Sequence, residues 1–312
     1  MSTVTNQAAH NLYTTTADQP YTTHINLFKK PIPITVHQTS EESSWPGGAL
    51  WDPAVIMVKL FQAAFGTNPA PLSPPLTDAQ RLLNQLVNLK TATILEMGCG
   101  VGLTGIALGA LGAKYVSCTD MQVVVDAVTR RNVDHNAHLF RTSTVLAQGL
   151  LWGTDPPPAD AIFDSLKSAT GSGVFSMVFA ADIAYCRPGL QGHFDAFMET
   201  LLSILSASDA NAERESLEQK GGRVVKKKKG RASAEPAKKQ ETIFVYCHRR
   251  RMAASEDLLH LIMEQFEYVE GAGVIRGEDV DPATFALGKG KKKPEITIHI
   301  LKRRTPPPSL AP

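Results

Sequence analysis

Short apolar runs alternate with amphipathic stretches over most of this chain, a pattern that predicts a mostly parallel sheet with helices packed against it. Apolar runs typical of buried strands occur at 94–95, 115–119, 144–147, 173–181 and 242–247. Apolar positions with helical spacing follow at 103–111, 122–138, 189–206 and 255–266, and an earlier helix is predicted at 53–65.

The two ends of the chain carry different patterns. Residues 24–28 and 32–37 are strand-like on either side of a Lys-Lys-Pro sequence and could form a hairpin. Residues 268–270 and 295–301 are also strand-like, and the clean alternation of the second run suits antiparallel pairing. We therefore expect an N-terminal extension at 1–45, one domain at 46–303 and a frayed, proline-rich tail at 304–312.

A glycine-rich segment at 93–105 is the most informative local sequence. An apolar run ends on Glu96, glycines follow at alternate positions, and helical spacing begins at Leu103; the glycines are Gly98, Gly100 and Gly102. Glycines let backbone N–H groups approach a ligand closely, because no side chain intervenes. The segment predicts a nucleotide site between a strand and a helix, with an ordinary tight turn as the alternative.

Two cofactor classes fit this turn. Gly100 to Gly105 matches the dinucleotide pattern G-x-G-x-x-G, a weak signal when it stands alone. Glu96 opposes that reading, because a carboxylate suits the ammonium and sulfonium of S-adenosylmethionine (SAM) better than a pyrophosphate. Asp120 ends the next strand and is placed to accept hydrogen bonds from a ribose, which SAM and NAD would both offer. An NAD oxidoreductase is disfavoured further, because no catalytic His, Lys and Tyr arrangement follows.

Composition excludes several classes of protein. The chain has 312 residues and 43% hydrophobic content, enough for one large core or two small ones. No apolar run is long enough to span a membrane, and the polar N-terminus has no signal-peptide core, so we expect no membrane association. The four cysteines form no C-x-x-C pair and are interpreted as buried thiols in a reducing compartment. The nine histidines lack metal-ligand spacing, so no metal is assigned.

Basic residues concentrate in one segment. Residues 220–240 contain nine Lys and Arg against Glu235 alone, and without them the formal charge changes from +2 to −6. Their Gly, Ala, Ser and Lys composition cannot build a packed core, so we expect a disordered insertion at 208–240. Solvated loop charge is the favoured interpretation. The alternatives are a nuclear-localisation signal at 226–231 or a patch that contacts RNA or ribosomes.

Four sequence features occur in the order found in one enzyme family. They are Gly48-Ala-Leu-Trp51-Asp52, the glycine segment, Thr119-Asp120 followed by Asn132 and Asn136, and Ala181-Asp182-Ile-Ala-Tyr185. Over about 45–303 the chain therefore resembles the seven-β-strand protein-lysine methyltransferases of methyltransferase family 16. The D-x-x-Y motif is the specific part, since the glycine motif is common to most SAM enzymes. The resemblance implies a Rossmann-like class I SAM-dependent methyltransferase fold, a seven-stranded mostly parallel sheet with one antiparallel strand.

The resemblance also implies a role for each matching residue. The methionine end of SAM would lie against Glu96 and the three glycines, and Asp120 would hold the ribose. Trp152 would lie against the adenine and Trp51 would close over the cofactor, with further contacts from Met121 and Ala181. Asp182 and Tyr185 would shape the acceptor side.

Plainer interpretations exist for several of these residues. Trp152 could be core packing, and Tyr185 could be a buried phenol bonded to the backbone. Asp52 could be a helix N-cap with Pro53 at the first helical position. Local hydrogen bonds within a helix are the favoured interpretation of Asn132 and Asn136.

The acceptor is inferred from chemistry. A lysine is mostly protonated at pH 7, so the site must desolvate it or remove its proton. Asp182 is placed for this at the carboxyl end of a central strand. Methyltransferases acting on planar nitrogens often carry two prolines where this chain has Ile183 and Ala184, which favours an sp³ amine.

These observations predict a monomeric, cytoplasmic or nuclear enzyme that methylates a lysine of a protein substrate such as a translation factor or chaperone. The alternatives are a methyltransferase acting on histidine or a small amine, and a non-catalytic binding module with a SAM fold.

Overall fold

A computed structural model describes most of the chain. The described residues are 20–27, 30–39, 46–66, 74–154, 159–184, 192–221, 241–250, 253–281 and 295–304. No helix within these ranges is long and apolar enough to cross a membrane.

The strands in the described ranges include all of those predicted from the apolar runs. They are β1 (Tyr21–Leu27), β2 (Lys30–Val36), β3 (Thr93–Met97), β4 (Tyr115–Asp120), β5 (Thr144–Gly149), β6 (Met177–Ala181), β7 (Ile243–Arg250), β8 (Phe266–Tyr268), β9 (Ile275–Arg276) and β10 (Glu295–Arg303).

The central sheet has the strand order β5-β4-β3-β6-β7-β10-β8, with the short β9 beside β10. Strands β3 to β7 pair in parallel, whereas β10 runs antiparallel to β7 and to β8. This confirms the predicted mostly parallel sheet with one antiparallel strand. The sheet has eight strands where seven were predicted, because the short β9 also pairs with β10. The chain order reverses between β3 and β6, and in such sheets the crevice at the carboxyl ends of these strands is the place where ligands bind.

Helices connect the strands. They are α1 (Asp52–Phe65), α2 (Pro74–Leu86), α3 (Leu103–Leu111), α4 (Gln122–Val124), a π-helical segment (Val125–Thr129), α5 (Arg130–His135), α6 (Ala159–Thr170), α7 (Gly192–Gly221), α8 (Ala253–Gln265) and α9 (Gly277–Val280). The sequence analysis missed α2, α6 and α9. Few apolar positions explain the omission of α6, which buries only Ala159, Ile162 and Leu166.

Side chains on the two faces of the sheet form two hydrophobic clusters. Along β6, Met177 and Phe179 belong to the cluster that includes α1 and α3, whereas Val178 and Ala180 belong to the cluster that includes α6, α7 and α8. Strands that are covered on both faces have continuous apolar sequences. This is why the apolar run at 173–181 predicts the strand β6.

Helix α7 corrects two predictions about the same region. It continues to Gly221, whereas the sequence predicted its end near 206 and disorder from 208. Ser208 is fully buried, and its hydroxyl accepts the N–H of Phe175 at 2.9 Å. Residues 173–176 form no strand, so the fourth strand begins at Met177. The rest of the basic insertion, 222–240, lies outside the described residues.

Strands β1 and β2 pair antiparallel, with Ile25 opposite Ile32. Ile25, Ile34 and Val36 are completely buried in the main hydrophobic cluster. The division of the chain into extension, domain and tail stays a prediction.

Candidate cofactor and acceptor site

The glycine turn between β3 and α3 has a backbone that only glycine adopts readily. Gly98, Gly100 and Gly102 have φ angles of 71°, 52° and 80°. A side chain at these angles is strained, because its Cβ crowds the backbone. The alternate glycines are therefore a requirement of this turn.

The turn is also closely packed against other segments. A Cβ on Gly98 would lie 2.7 Å from Cγ2 of Ile183 and 3.4 Å from the ring of Trp152. A Cβ on Gly100 would lie 3.1 Å from the carbonyl oxygen of Gly47. The N-terminal segment before α1 therefore lies against the turn. The closing of Trp51 over the cofactor stays a prediction.

Asp120 holds the turn from the neighbouring strand β4. Its Oδ2 accepts the N–H of Gly100 at 2.8 Å, and its Oδ1 accepts the N–H of Met121 at 2.8 Å. Burial raises the pKa of Asp120, and the two backbone N–H groups oppose that rise. Each oxygen retains a second lone pair, so the half-buried carboxylate can still accept hydrogen bonds from a diol.

Glu96 lies behind the turn. It is only 2% exposed, and its Oε2 accepts the N–H of Gly105 in α3 at 3.0 Å. Burial raises the pKa of Glu96 to about 8, and the negative charge of Asp120 adds to the rise. A Cβ on Gly105 would lie 2.3 Å from Sγ of Cys118, so this glycine permits the helix to approach the sheet. In this structure Glu96 supports the turn; direct contact with a cofactor stays a prediction.

Trp152 lies beside Gly98 at the end of β5. Its ring centroid is 4.9 Å from that of His193 and 5.0 Å from that of Phe197, both in α7. Its indole N–H is buried and has no hydrogen-bond partner among the described residues. Buried donors are nearly always satisfied, so an unpaired N–H beside the glycine turn suits a ligand with an acceptor.

Trp51 and Asp52 begin helix α1 in a way that the sequence analysis did not predict. Trp51 is the N-cap residue, and no side chain caps this end of the helix. Asp52 is only 1% exposed, and its Oδ2 accepts a hydrogen bond from Nη1 of Arg249 at 2.6 Å. The interpretation of Asp52 as a helix cap is wrong, because its carboxylate forms an ion pair with the end of β7.

Asp182 follows β6 at the carboxyl edge of the sheet. It has a φ of 59°, and no other non-glycine residue in the described ranges has a positive φ. Its N–H donates to the carbonyl of Cys247 at 2.8 Å, which fixes it between β6 and β7. Left-handed backbone at a non-glycine residue is uncommon and concentrates at functional sites. Ala181 is half-buried beside it, and Tyr185 lies outside the described residues.

Asn132 and Asn136 correct another interpretation. Both side chains are buried and bond to β2 and the residue after it, about one hundred residues away along the chain. The expectation of local hydrogen bonds is wrong for Asn132. For Asn136 it is incomplete, because its amide also donates to the Asn132 carbonyl at 2.8 Å.

The described residues include no group of three or more His, Cys, Asp and Glu able to hold a metal ion. Cys99, Cys118 and Cys247 are buried free thiols, and burial raises their pKa well above the ordinary value.

The residues that surround the glycine turn fit the cofactor that the resemblance implies. The three glycines add no side chains to the turn, Asp120 retains acceptor capacity, and the Trp152 indole N–H has no partner among the described residues. Sequence reasoning missed Ile183 and Thr129, which also contact this turn. The signal for Ile183 was its place beside Asp182, whereas nothing in the sequence distinguishes Thr129.

A family model and two relatives of known function agree on one enzyme family. A family model described as lysine methyltransferase matches residues 29–211. The chain is 30% identical over 120 residues to the protein N-lysine methyltransferase METTL21A of Danio rerio, covering 38% of this chain and 47% of that protein. The same protein of Xenopus tropicalis is 28% identical over equal shares. The match spans about half the length of these relatives.

A solved structure titled as an rRNA methylase from Streptococcus thermophilus superimposes with a TM-score of 0.37 and 10% identity. The superposition covers 76% of this chain and all of that one. A score this low supports no conclusion about function.

Proposed function

The chain belongs to the lysine methyltransferase family, and from that premise we propose that it transfers a methyl group from SAM to a lysine ε-amine of a protein substrate. The carrying observation is that the glycine turn, Asp120 and Asp182 all lie at the carboxyl edge of one sheet, beside its switch in strand order. Bound SAM would supply an electrophilic methyl group on a sulfonium. The chain's own residues must bind the cofactor and deliver a neutral, aligned amine.

On the cofactor side, six parts of the chain are proposed to contact SAM. The glycines of the turn carry no side chains of their own, and Asp120 offers a carboxylate for the ribose. Trp152 offers an aromatic face and an unpaired N–H for the adenine. Trp51 is the N-cap residue of α1, Met121 is that of α4, and Ala181 ends β6. All three are proposed to add contacts to the cofactor.

On the acceptor side, Asp182 is proposed to orient the lysine and to remove or share its proton. A lysine with its ordinary pKa near 10.4 carries its proton at neutral pH, and a protonated amine has no lone pair for attack. The backbone of Asp182 is fixed by its bond to Cys247, so its carboxylate starts from a defined place. Holding the amine on the axis of displacement would supply much of the rate enhancement.

Asp182→Asn tests this role. Asparagine tolerates left-handed backbone as aspartate does, so the variant should fold, but it has no negative charge. We expect S-adenosylhomocysteine (SAH) affinity within a few-fold of wild type and a loss of most methylation, measured with labelled SAM and a methylation-naive lysate. Asp126→Asn, which changes an exposed carboxylate on the π-helical segment, is the matched control. Full turnover by a folded Asp182→Asn protein would contradict the assignment.

The substrate, partners and location are part of the same proposal. We propose a translation factor or chaperone as substrate, a monomeric enzyme, and a cytoplasmic or nuclear location. The basic insertion could add contact with RNA or ribosomes. Identification of the labelled residue decides among acceptors. Label on a histidine or on a small amine would mean that this group, and not a lysine, is the acceptor. SAH binding without any transfer would indicate a binding module.

A further inference from the structure

The side chains of Asn132 and Asn136 hold the strand β2 against helix α5. Oδ1 of Asn132 accepts the N–H of His37 at 2.8 Å, and its Nδ2 donates to the carbonyl of His37 at 2.9 Å. Asn136 pairs with the N–H and carbonyl of Thr35 in the same way, at 3.2 and 2.8 Å. The two amides lie one helical turn apart and bond the backbone of Thr35 in β2 and of His37 just after it, as a neighbouring strand would.

Asn132 has a second contact that Asn136 lacks. Its Nδ2 also donates to the carbonyl of Val101 in the glycine turn, at 2.9 Å. The corresponding extra bond of Asn136 goes to the carbonyl of Asn132, within the helix. Asn132 therefore connects the hairpin to the turn, and Asn136 contacts only the hairpin and the helix.

Thr129 supports the preceding peptide of the turn. Its buried hydroxyl donates to the carbonyl of Gly100 at 2.6 Å, from the end of the π-helical segment. In a planar trans peptide the C=O of one residue and the N–H of the next point in opposite directions. The bond from Thr129 to the Gly100 carbonyl therefore points the Val101 N–H away from Thr129. The following peptide, between Val101 and Gly102, is fixed by the bond from Asn132 to the Val101 carbonyl.

We propose that Asn132 is a positioning residue that couples docking of the β1–β2 hairpin to the shape of the glycine turn, with Thr129 as a second support. Cofactor affinity then depends on whether the hairpin is docked. The inference rests on the proposed function, because it takes the glycine turn as the SAM site. It assigns the N-terminal extension, some 95 residues from Asn132 in the sequence, to the cofactor machinery.

A pair of alanine substitutions distinguishes an effect on cofactor affinity from a general loss of protein stability. Asn132→Ala and Asn136→Ala both remove two bonds to the hairpin from a buried site, so both should lower the melting temperature by similar amounts. We expect calorimetric SAH affinity to fall ten-fold or more in Asn132→Ala and to stay within about three-fold of wild type in Asn136→Ala. Equal affinities in the two variants would overturn the proposal.

A second pair of variants changes only one hydroxyl group and so removes fewer buried hydrogen bonds. Thr129→Val keeps the shape of the side chain and removes the hydroxyl, whereas Thr129→Ser keeps the hydroxyl. We expect several-fold weaker SAH binding in Thr129→Val and near wild-type binding in Thr129→Ser. Unchanged affinity in Thr129→Val would overturn the role of Thr129 as a second support. Should Asn132→Ala fail to fold, Asn132→Asp, which keeps Oδ1 for the His37 N–H and loses the donor to Val101, takes its place, and wild-type affinity in that variant would overturn the proposal.

Hydrogen exchange supplies a readout apart from activity. SAH should slow amide exchange of residues 21–36 in wild type and in Asn136→Ala, but not in Asn132→Ala. Equal slowing in all three proteins would refute the coupling and leave the proposed function intact. A wild-type protein that binds no SAH would instead refute both.

Discussion

Asp120 and Glu96 both accept backbone N–H groups at the glycine turn or in the helix after it, but they differ in how far the carboxyl group is exposed to a ligand. Asp120 accepts N–H groups from the turn and from its own neighbour, and it is half-buried. Glu96 accepts the N–H of Gly105 and is 2% exposed. The difference predicts that Asp120 acts on the cofactor, whereas Glu96 acts on the stability of the cofactor-free protein.

Asp120→Ala should weaken SAH binding by about 1.5–3 kcal/mol, the range for lost hydrogen bonds to a charged group. It removes the acceptor for the Gly100 N–H as well as that proposed for the ribose. Calorimetry measures the effect, and Asp126→Ala, an exposed carboxylate on the adjoining helix, should change nothing. Unchanged affinity in a folded Asp120→Ala protein would remove this residue from the site.

Glu96 should make the protein less stable as pH rises. Its pKa is about 8 in the folded chain against 4.5 when unperturbed, so between these values the folded state holds a proton that the unfolded state has released. Stability is then lost progressively from about pH 4.5 to about pH 8. Glu96→Gln keeps an oxygen for the Gly105 N–H and cannot titrate, so its melting temperature should fall less over this range.

The comparison of the two proteins isolates Glu96. Other buried groups titrate in both of them, including His299, whose pKa burial lowers to about 4. Parallel curves of melting temperature against pH for wild type and Glu96→Gln would show that Glu96 does not titrate as described.

At the scale of elements, the segment just before α1, which contains Gly47 and Gly48, makes close contacts with other parts of the chain. A Cβ on Gly48 would lie 2.8 Å from the carbonyl oxygen of Thr39, and a Cβ on Gly47 would lie 2.8 Å from Val124. Gly48 also accepts the N–H of Thr39 at 2.9 Å. These contacts explain the two glycines before Trp51, which helix capping alone did not.

Gly48→Ala should destabilise the protein by about 1–3 kcal/mol, the usual cost of forcing atoms into a packed region. A backbone oxygen cannot rotate away as a long side chain can. Gly273→Ala is the control, because a Cβ there meets nothing within 4 Å. Equal melting temperatures for the two variants, measured by calorimetry, would mean that the segment moves aside without cost.

At the scale of the whole molecule, the helix before the basic insertion belongs to the folded body. Nδ2 of Asn211 donates to the carbonyl of Gly173 at 2.8 Å. Glu215 accepts the Gly173 N–H at 2.8 Å and the Ser172 hydroxyl at 3.0 Å. These contacts hold the turn that leads into the central strand β6.

Two deletions should therefore behave differently. Replacing 222–240 with a Gly-Ser linker should leave melting temperature and SAH affinity nearly unchanged, because closing a surface loop depends weakly on its length. Replacing 209–240 should lower the melting temperature, because Asn211 and Glu215 are lost. A large loss of stability in the shorter deletion would show that the insertion packs on the fold.

The shorter deletion also tests the charge of the insertion. A cluster of like charges attracts partners over distances that salt screens. If the segment recruits an acidic partner, methylation by the deleted form should lose its salt sensitivity. If the segment binds an import receptor, the deletion should lower the share of the protein found in the nucleus. Unchanged salt dependence and location would indicate solvated loop charge.

The sequence by itself determined the features that depend on local patterns. Most strands, and those helices that have a clear apolar spacing, follow from the sequence pattern, and the glycine turn follows from three positive φ angles that only glycine adopts readily. Motif order was enough to place the chain in its family and to nominate Asp120 and Asp182. Each of these features is carried by residues near one another in the chain.

Only the tertiary structure decided which distant groups meet. Asn132 could have bonded within its helix, but it bonds the backbone of His37, which follows β2 and lies 95 residues away in the sequence. Asp52 could have capped α1, but Arg249 lies beside it once β7 joins the sheet. The polar residues at 208–215 were predicted to be disordered, because their hydrogen-bond partners at 172–175 are remote in the sequence. A polar side chain has several ways to satisfy its hydrogen bonds, and the fold alone selects among them.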